Sequence, residues 1–136
     1  MLGTSWPTYG FYFLIFIAFA PLIHLIQSNK TENNFKLTFF SFITFLVWNT
    51  ITTYWLYYAT LTGMLFAIIV NSLLMSSIVL VSLFIWKKLG NKLSTIFFIS
   101  LWICFEKFHL NWDFSWPWLN LGNVFSENIK IIQWYE

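Results

Sequence analysis

Two ionisable side chains, Glu106 and His109, stand inside an otherwise apolar run, and they have the most chemistry to offer. Burying a charge in apolar surroundings is costly, so such groups are kept where they contact protons, head groups or partner helices. Spaced at i and i+3, they share one face of a helix. They could pass a proton or touch a lipid head group; the structural alternative is a hydrogen bond between helices, or exposure at an interface. His24, near the end of another apolar run, reads as interfacial. Cys104, Glu106 and Lys107 invite a reading as nucleophile, carboxylate and amine. Helix geometry opposes it, because at ~100° per residue Cys104 and Glu106 point ~200° apart. Cys104 reads as an inert packing thiol. No other nucleophile–base arrangement is visible, so no catalytic residue is assigned. One Cys and two His suggest no metal site, and no cofactor is expected.

The elements that must carry these residues are read from charge and hydropathy. Hydrophobic residues make up 59% of the 136 residues and charged residues 9%, against about 25% charged in soluble domains. The mean hydropathy is +0.70. So little charge cannot cover a water-facing surface, and the chain reads as an all-α integral membrane protein. A net charge of +2 gives no reason to expect a nucleic-acid partner; the expected partners are membrane lipids. A crossing takes roughly 20 apolar residues, and four candidates lie at about 8–27, 37–57, 63–86 and 93–112. Pro7 is placed to open the first and Pro21 to kink it. Lys36 and Lys87 are separated by 50 uncharged residues, too many for one crossing and enough for two, with a turn near Thr60–Gly63. Residues 113–136 form an interfacial aromatic segment. No Lys or Arg precedes the first apolar run, so the N-terminus lacks the pattern of a secretory signal.

Orientation follows from the lysines. Lys30, Lys36, Lys87, Lys88 and Lys92 are five of seven positive charges and fall on one side, which places those loops in the cytoplasm. Trp6, Trp48, Trp55, Trp112, Trp116 and Trp118 then gather at the outer face. The sequon Asn29-Lys30-Thr31 falls on the cytoplasmic side and reads as chance. Gly63, Ala67 and Asn71 at spacing of four, with Ser72 and Ser76, suit close helix approach rather than a transport pathway. Pro117 forces Trp116 into an extended conformation, making Trp116-Pro117-Trp118 either an aromatic anchor or a lip that contacts lipid.

The stretch SLWICFEKFHLNWDFSWPWLNLGN (100–123) resembles the membrane portion of the bacterial apolipoprotein N-acyltransferases. In that family a Trp and a Glu near a helix end precede an aromatic-Pro-Trp-Leu-x-hydrophobic-Gly motif; here these are Trp102, Glu106, Trp116, Pro117, Trp118, Leu119, Leu121 and Gly122. Residues 3–25, 47–60 and 131–135 are similar in order, so the resemblance covers most of the chain. It implies an enzyme that moves an acyl chain from a phospholipid donor, through a cysteine thioester, to the N-terminal amine of a diacylglyceryl-cysteine lipoprotein. It also implies a nitrilase-like domain outside the membrane that carries the Cys, Glu and Lys of that chemistry. This chain departs from the family pattern. The catalytic domain is absent, a helix expected upstream of Gly3 is missing, and His109 stands where the family usually has Arg. The expectation is therefore the N-terminal membrane region of such an enzyme in the bacterial inner membrane, a fragment inactive alone. Whether the chain is itself an enzyme stays open. The candidate contacts for lipid or substrate are Glu106, His109, Trp116, Pro117 and Trp118. The alternative is a non-catalytic four-helix scaffold or accessory subunit.

Overall fold

The structure is a computed structural model that describes residues 2–5, 11–28, 33–114, 116–127, 130 and 133. Trp6, Pro7, the start expected for the first helix, the sequon with Lys30, and most of 131–135 lie outside the described residues. Every described element is a helix, and no strand occurs among the described residues. Two helices, Asn34–Tyr58 and Leu61–Asn111, are long and apolar enough to cross a membrane, and Tyr12–Ser28 is a shorter apolar helix.

Helix α1 (Tyr12–Ser28) is broken at Phe19, between Ile15–Ala18 and Ala20–Ser28. Pro21 follows two residues later; it has no N–H to give and its ring crowds the preceding turn. Helix α2 (Asn34–Thr53) starts where the Asn33 side chain accepts from the Phe35 N–H at 2.9 Å, filling one of the donors a helix start leaves open. It tightens into a 3-10 turn at Tyr54–Tyr58.

Helix α3 (Leu61–Asn111) has 51 residues, a length of ~77 Å if straight, against ~30 Å of hydrocarbon. It is not straight. Gly90 has φ 73° and ψ 179°, a combination open in practice only to glycine, and the chain reverses there. Phe66, near the start, meets Phe114 and Trp116 just past the end at 5.6 and 6.2 Å. The halves, residues 61–89 and 91–111, are therefore antiparallel. The sequence assigns helices to 63–86 and 93–112 with a loop over 87–92; the structure needs only Gly90 as the break, and Trp86 Nε1 closes it by donating to Asn91 Oδ1 at 2.6 Å.

Apolar residues such as Phe45, Met75 and Leu83 form the core, but small polar residues are buried beside them and large apolar ones lie outside. Ser41, Thr52, Ser76, Ser82 and Ser94 are buried, while Phe16 (77% exposed), Phe35, Ile96, Ile103 and many other large apolar residues face out. Small hydroxyl residues inside let helices approach closely, and their hydroxyls return a hydrogen bond to the preceding turn. Ser41 and Ser82 do so, donating to Leu37 O (3.0 Å) and Ile78 O (2.8 Å). The largest such feature joins α2 to α3. Asn71 Nδ2 donates to Asn49 Oδ1 at 2.8 Å, and Asn49 Nδ2 donates to Phe45 O at 2.8 Å and to Ser72 Oγ at 3.1 Å. Both amides are 0% exposed. Their meeting is a matter of register: they lie equally far before and after Thr60, where the hairpin turns. Replacing Asn71 with Leu should lower stability by about 1 kcal/mol. An unfolding titration in mixed micelles would measure it, and a second substitution, Asn49→Leu, should add less than its single effect. Strict additivity would show that the amides do not act as a pair.

Trp48 is 2% exposed and packs on Phe45, because it lies on the face of α2 turned to the bundle. One expectation is corrected. Gly63, expected in the close-packed stripe with Ala67 and Asn71, is exposed. The turn before it is made by Thr60, which is extended at φ −153°, ψ 127°. A methyl group at Gly63 would run into the Thr60 hydroxyl.

Candidate functional site

Trp102, Glu106 and His109 recur at i, i+4 and i+7 and so form one stripe on residues 91–111. Trp102 is buried among Phe19, Phe45, Phe98 and Phe105, with ring centroids 4.6 to 5.9 Å apart. Its Nε1 donates to Glu106 Oε1 at 3.1 Å. The same oxygen accepts the backbone N–H of Leu121 at 3.0 Å. Leu121 opens a 3-10 turn, Leu121–Phe125, whose N-cap residue Asn120 makes no capping bond with its side chain. First-turn N–H groups have no partner within their own helix. Glu106 caps that turn from another element, and so fastens the segment after residue 112 onto the bundle.

Packing completes the fastening. Leu119, Val124 and Phe125 are buried, and Phe125 meets Tyr12 and Phe16 of α1 at 6.0 and 5.8 Å. The segment thus crosses from the end of α3 to the start of α1. Within it Pro117–Leu119 is a further 3-10 turn, held by Leu119 N–H donating to Trp116 O at 3.2 Å.

His109 is 1% exposed. Its ring stacks on Phe105 (5.2 Å, 26°) and touches Trp112 at 5.4 Å and Trp116 at 5.5 Å. Neither ring nitrogen has a hydrogen-bond partner among the described residues. Trp116 also meets Trp112 at 5.9 Å, whereas Trp118 packs edge-on against Trp55 at 5.6 Å. Of the five candidates, then, Glu106 fixes the segment that carries Trp116, Pro117 and Trp118, and His109 packs under Trp116. Trp118 is directed to the end of α2 instead. Both tryptophans are half-buried, and Trp118 Nε1 is itself buried with no hydrogen-bond partner among the described residues.

Cys104 is exposed, so it is not the packing thiol expected, and it lies off the Glu106 stripe. Glu106 Oε1 is committed to two donors. The arrangement holds and shapes; it offers no nucleophile with a base beside it among the described residues. Two contributors escape a sequence reading. The backbone N–H of Leu121 carries no side-chain signal at all. Asn49 does carry one: an amide in a 50-residue uncharged run, level with Asn71 across the turn.

Comparison with known proteins gives the family. The apolipoprotein N-acyltransferase of Chlorobaculum tepidum is 27% identical over 136 residues, covering 98% of this chain and 25% of that protein. The chain therefore spans about a quarter of the length of the curated relative it matches. No solved structure matches it. The family described as the apolipoprotein N-acyltransferase N-terminal domain matches residues 1–136, and with that match over its whole length the chain belongs to this family.

Proposed function

We propose that this chain is the membrane-embedded portion of an apolipoprotein N-acyltransferase, an enzyme that moves an acyl chain from a phospholipid to the N-terminal amine of a diacylglyceryl-cysteine lipoprotein. It crosses the bacterial inner membrane four times, with α1, α2 and the two halves of α3 as the crossings. The lysine-bearing turns lie in the cytoplasm and the Trp116-Pro117-Trp118 segment at the outer face. Acyl transfer belongs to a nitrilase-like domain outside the membrane. The helices hold that domain at the lipid surface, and the outer aromatic segment, with Glu106 and His109 beneath it, contacts its lipid-bearing substrates.

The observation that carries this reading is the bond from Leu121 N–H to Glu106 Oε1. It fixes two half-buried tryptophans at the bundle's end, where aromatic rings with one apolar body and one polar edge sit at a bilayer interface. The full-length protein, reconstituted in vesicles with a phospholipid donor and a diacylglyceryl-cysteine peptide, is expected to acylate the peptide's amine. The Trp116→Ala, Trp118→Ala double variant should raise KM about tenfold with little change in kcat, as expected when uniform substrate binding is lost. Absence of transfer by the unaltered protein would favour a non-catalytic scaffold. Unchanged kinetics in the double variant would remove the tryptophans from substrate contact.

A further inference from the structure

The end of the bundle away from Glu106 has its own design. At Gly90 the chain turns and leaves Lys87, Lys88 and Lys92 exposed on either side. Beside the turn is an open cleft of about 530 Å³, lined by Gln27, Asn91, Lys92, Thr95 and Ile96. Its walls are fixed to one another. Gln27 Nε2 donates to Thr95 Oγ1 at 2.8 Å, joining α1 to α3, and Thr95 Oγ1 donates to Asn91 O at 2.9 Å. Asn91 is held in turn by Trp86. One wall of the cleft is cationic and amide-rich. The other, Ile96 (61% exposed), continues into exposed Leu93.

The described carboxyl groups are Glu106, Asp113 and Glu127, and none is near. Glu106 is ~21 Å and Asp113 ~30 Å along the helix from Lys92. Glu127 follows Phe125, which packs at the opposite end of α1 from Gln27. One ammonium group, Lys92, in the lining of the cleft beside the Gln27, Asn91 and Thr95 polar groups, with exposed Lys87 and Lys88 just before the Gly90 turn and no described acid to balance them, complements a phosphate. An apolar wall leading out of the same cleft requires that the phosphate be attached to acyl chains. We infer that this cleft binds the head group of an anionic phospholipid, with Lys92 on the phosphate, Lys87 and Lys88 adding to the local field, and one acyl chain lying along Leu93 and Ile96. The site is separate from the acyl-transfer reading and stands without it. It needs only that α3 crosses a bilayer.

The test uses the full-length protein in mild detergent with equimolar phosphatidylglycerol and phosphatidylcholine, and reads retained lipid by native mass spectrometry. Phosphatidylglycerol should be retained at least tenfold over phosphatidylcholine. Lys92→Gln should cut that preference about fivefold, the effect of one basic residue at an anionic surface. Lys92→Arg, which keeps the charge, should preserve it, and this rescue separates lost binding from misfolding. Equal retention of the two lipids would overturn the proposal. So would a preference unchanged in the Lys87→Gln, Lys88→Gln, Lys92→Gln variant. Binding of inorganic phosphate at millimolar concentration with no preference between lipids would assign the cleft to a free anion, and would overturn it equally.

Discussion

Replacing Glu106 with Ala is expected to lower stability by about 3 kcal/mol and to free the segment after residue 112 from the bundle. The change leaves two donors without an acceptor, the Trp102 indole N–H at 3.1 Å and the Leu121 N–H at 3.0 Å. A half-buried donor stripped of its partner costs about 1–3 kcal/mol, and lipid offers no replacement. The Trp102 indole, packed against Phe19 and Phe45, cannot turn to water without losing those contacts. Glu106→Gln keeps a carbonyl oxygen of the same reach and should cost about 1 kcal/mol. Thermal unfolding in detergent would give the stabilities. Limited proteolysis should show new cleavage between residues 112 and 123 in the Ala variant only. Equal behaviour of the Ala and Gln variants would mean that Glu106 is not the fastening.

His109→Phe is expected to act in the opposite direction and raise stability by about 2 kcal/mol. The imidazole is enclosed by Phe105, Trp112 and Trp116, and neither nitrogen finds a partner among the described residues. A phenyl ring keeps the aromatic contacts and removes two polar atoms that gain nothing from burial. His109→Ala should instead destabilise by about 3 kcal/mol, because it empties a space walled by three rings. Unfolding midpoints of the three proteins decide the order. A Phe variant weaker than the parent would show that the nitrogens are engaged. A more stable Phe variant with slower acyl transfer in the full-length enzyme would separate a role in function from one in packing, since functional polar groups are commonly kept at the expense of stability.

How far the chain could be read from sequence depends on which signals are local. Gly90 between Lys88 and Lys92 marks a turn because charge and backbone freedom coincide there. The Phe19 break follows from Pro21. The inward faces were less legible, for a physical reason. Lipid tails and a protein interior are equally apolar, so the outward Phe and Ile of α2 and α3 cannot be told by hydropathy from the inward ones. Polar residues guide only in part: Asn49, Asn71, Ser72 and Ser82 point inward, but Thr44, Thr50, Ser77 and Ser100 face out, and the buried Trp48 carries no polar mark of its inward face. Glu106 was visible as an acid in an apolar run. Its acceptor role was not, because the partner N–H arrives along a path set by two 3-10 turns and the burial of Phe125. The edge contact of Trp118 with Trp55 joins residues far apart in the chain and has no sequence signature.

The two polar fastenings differ in when they can form. Asn49 and Asn71 sit on neighbouring helices around one short turn, so both emerge from the ribosome well before Leu121 does. That hairpin can enter the bilayer as a pair with its amides already matched. Glu106 has only the Trp102 indole for company until Leu121 follows fifteen residues later. The order of synthesis therefore sets an order of closure: the bundle's middle is latched first, and its aromatic end is sealed last.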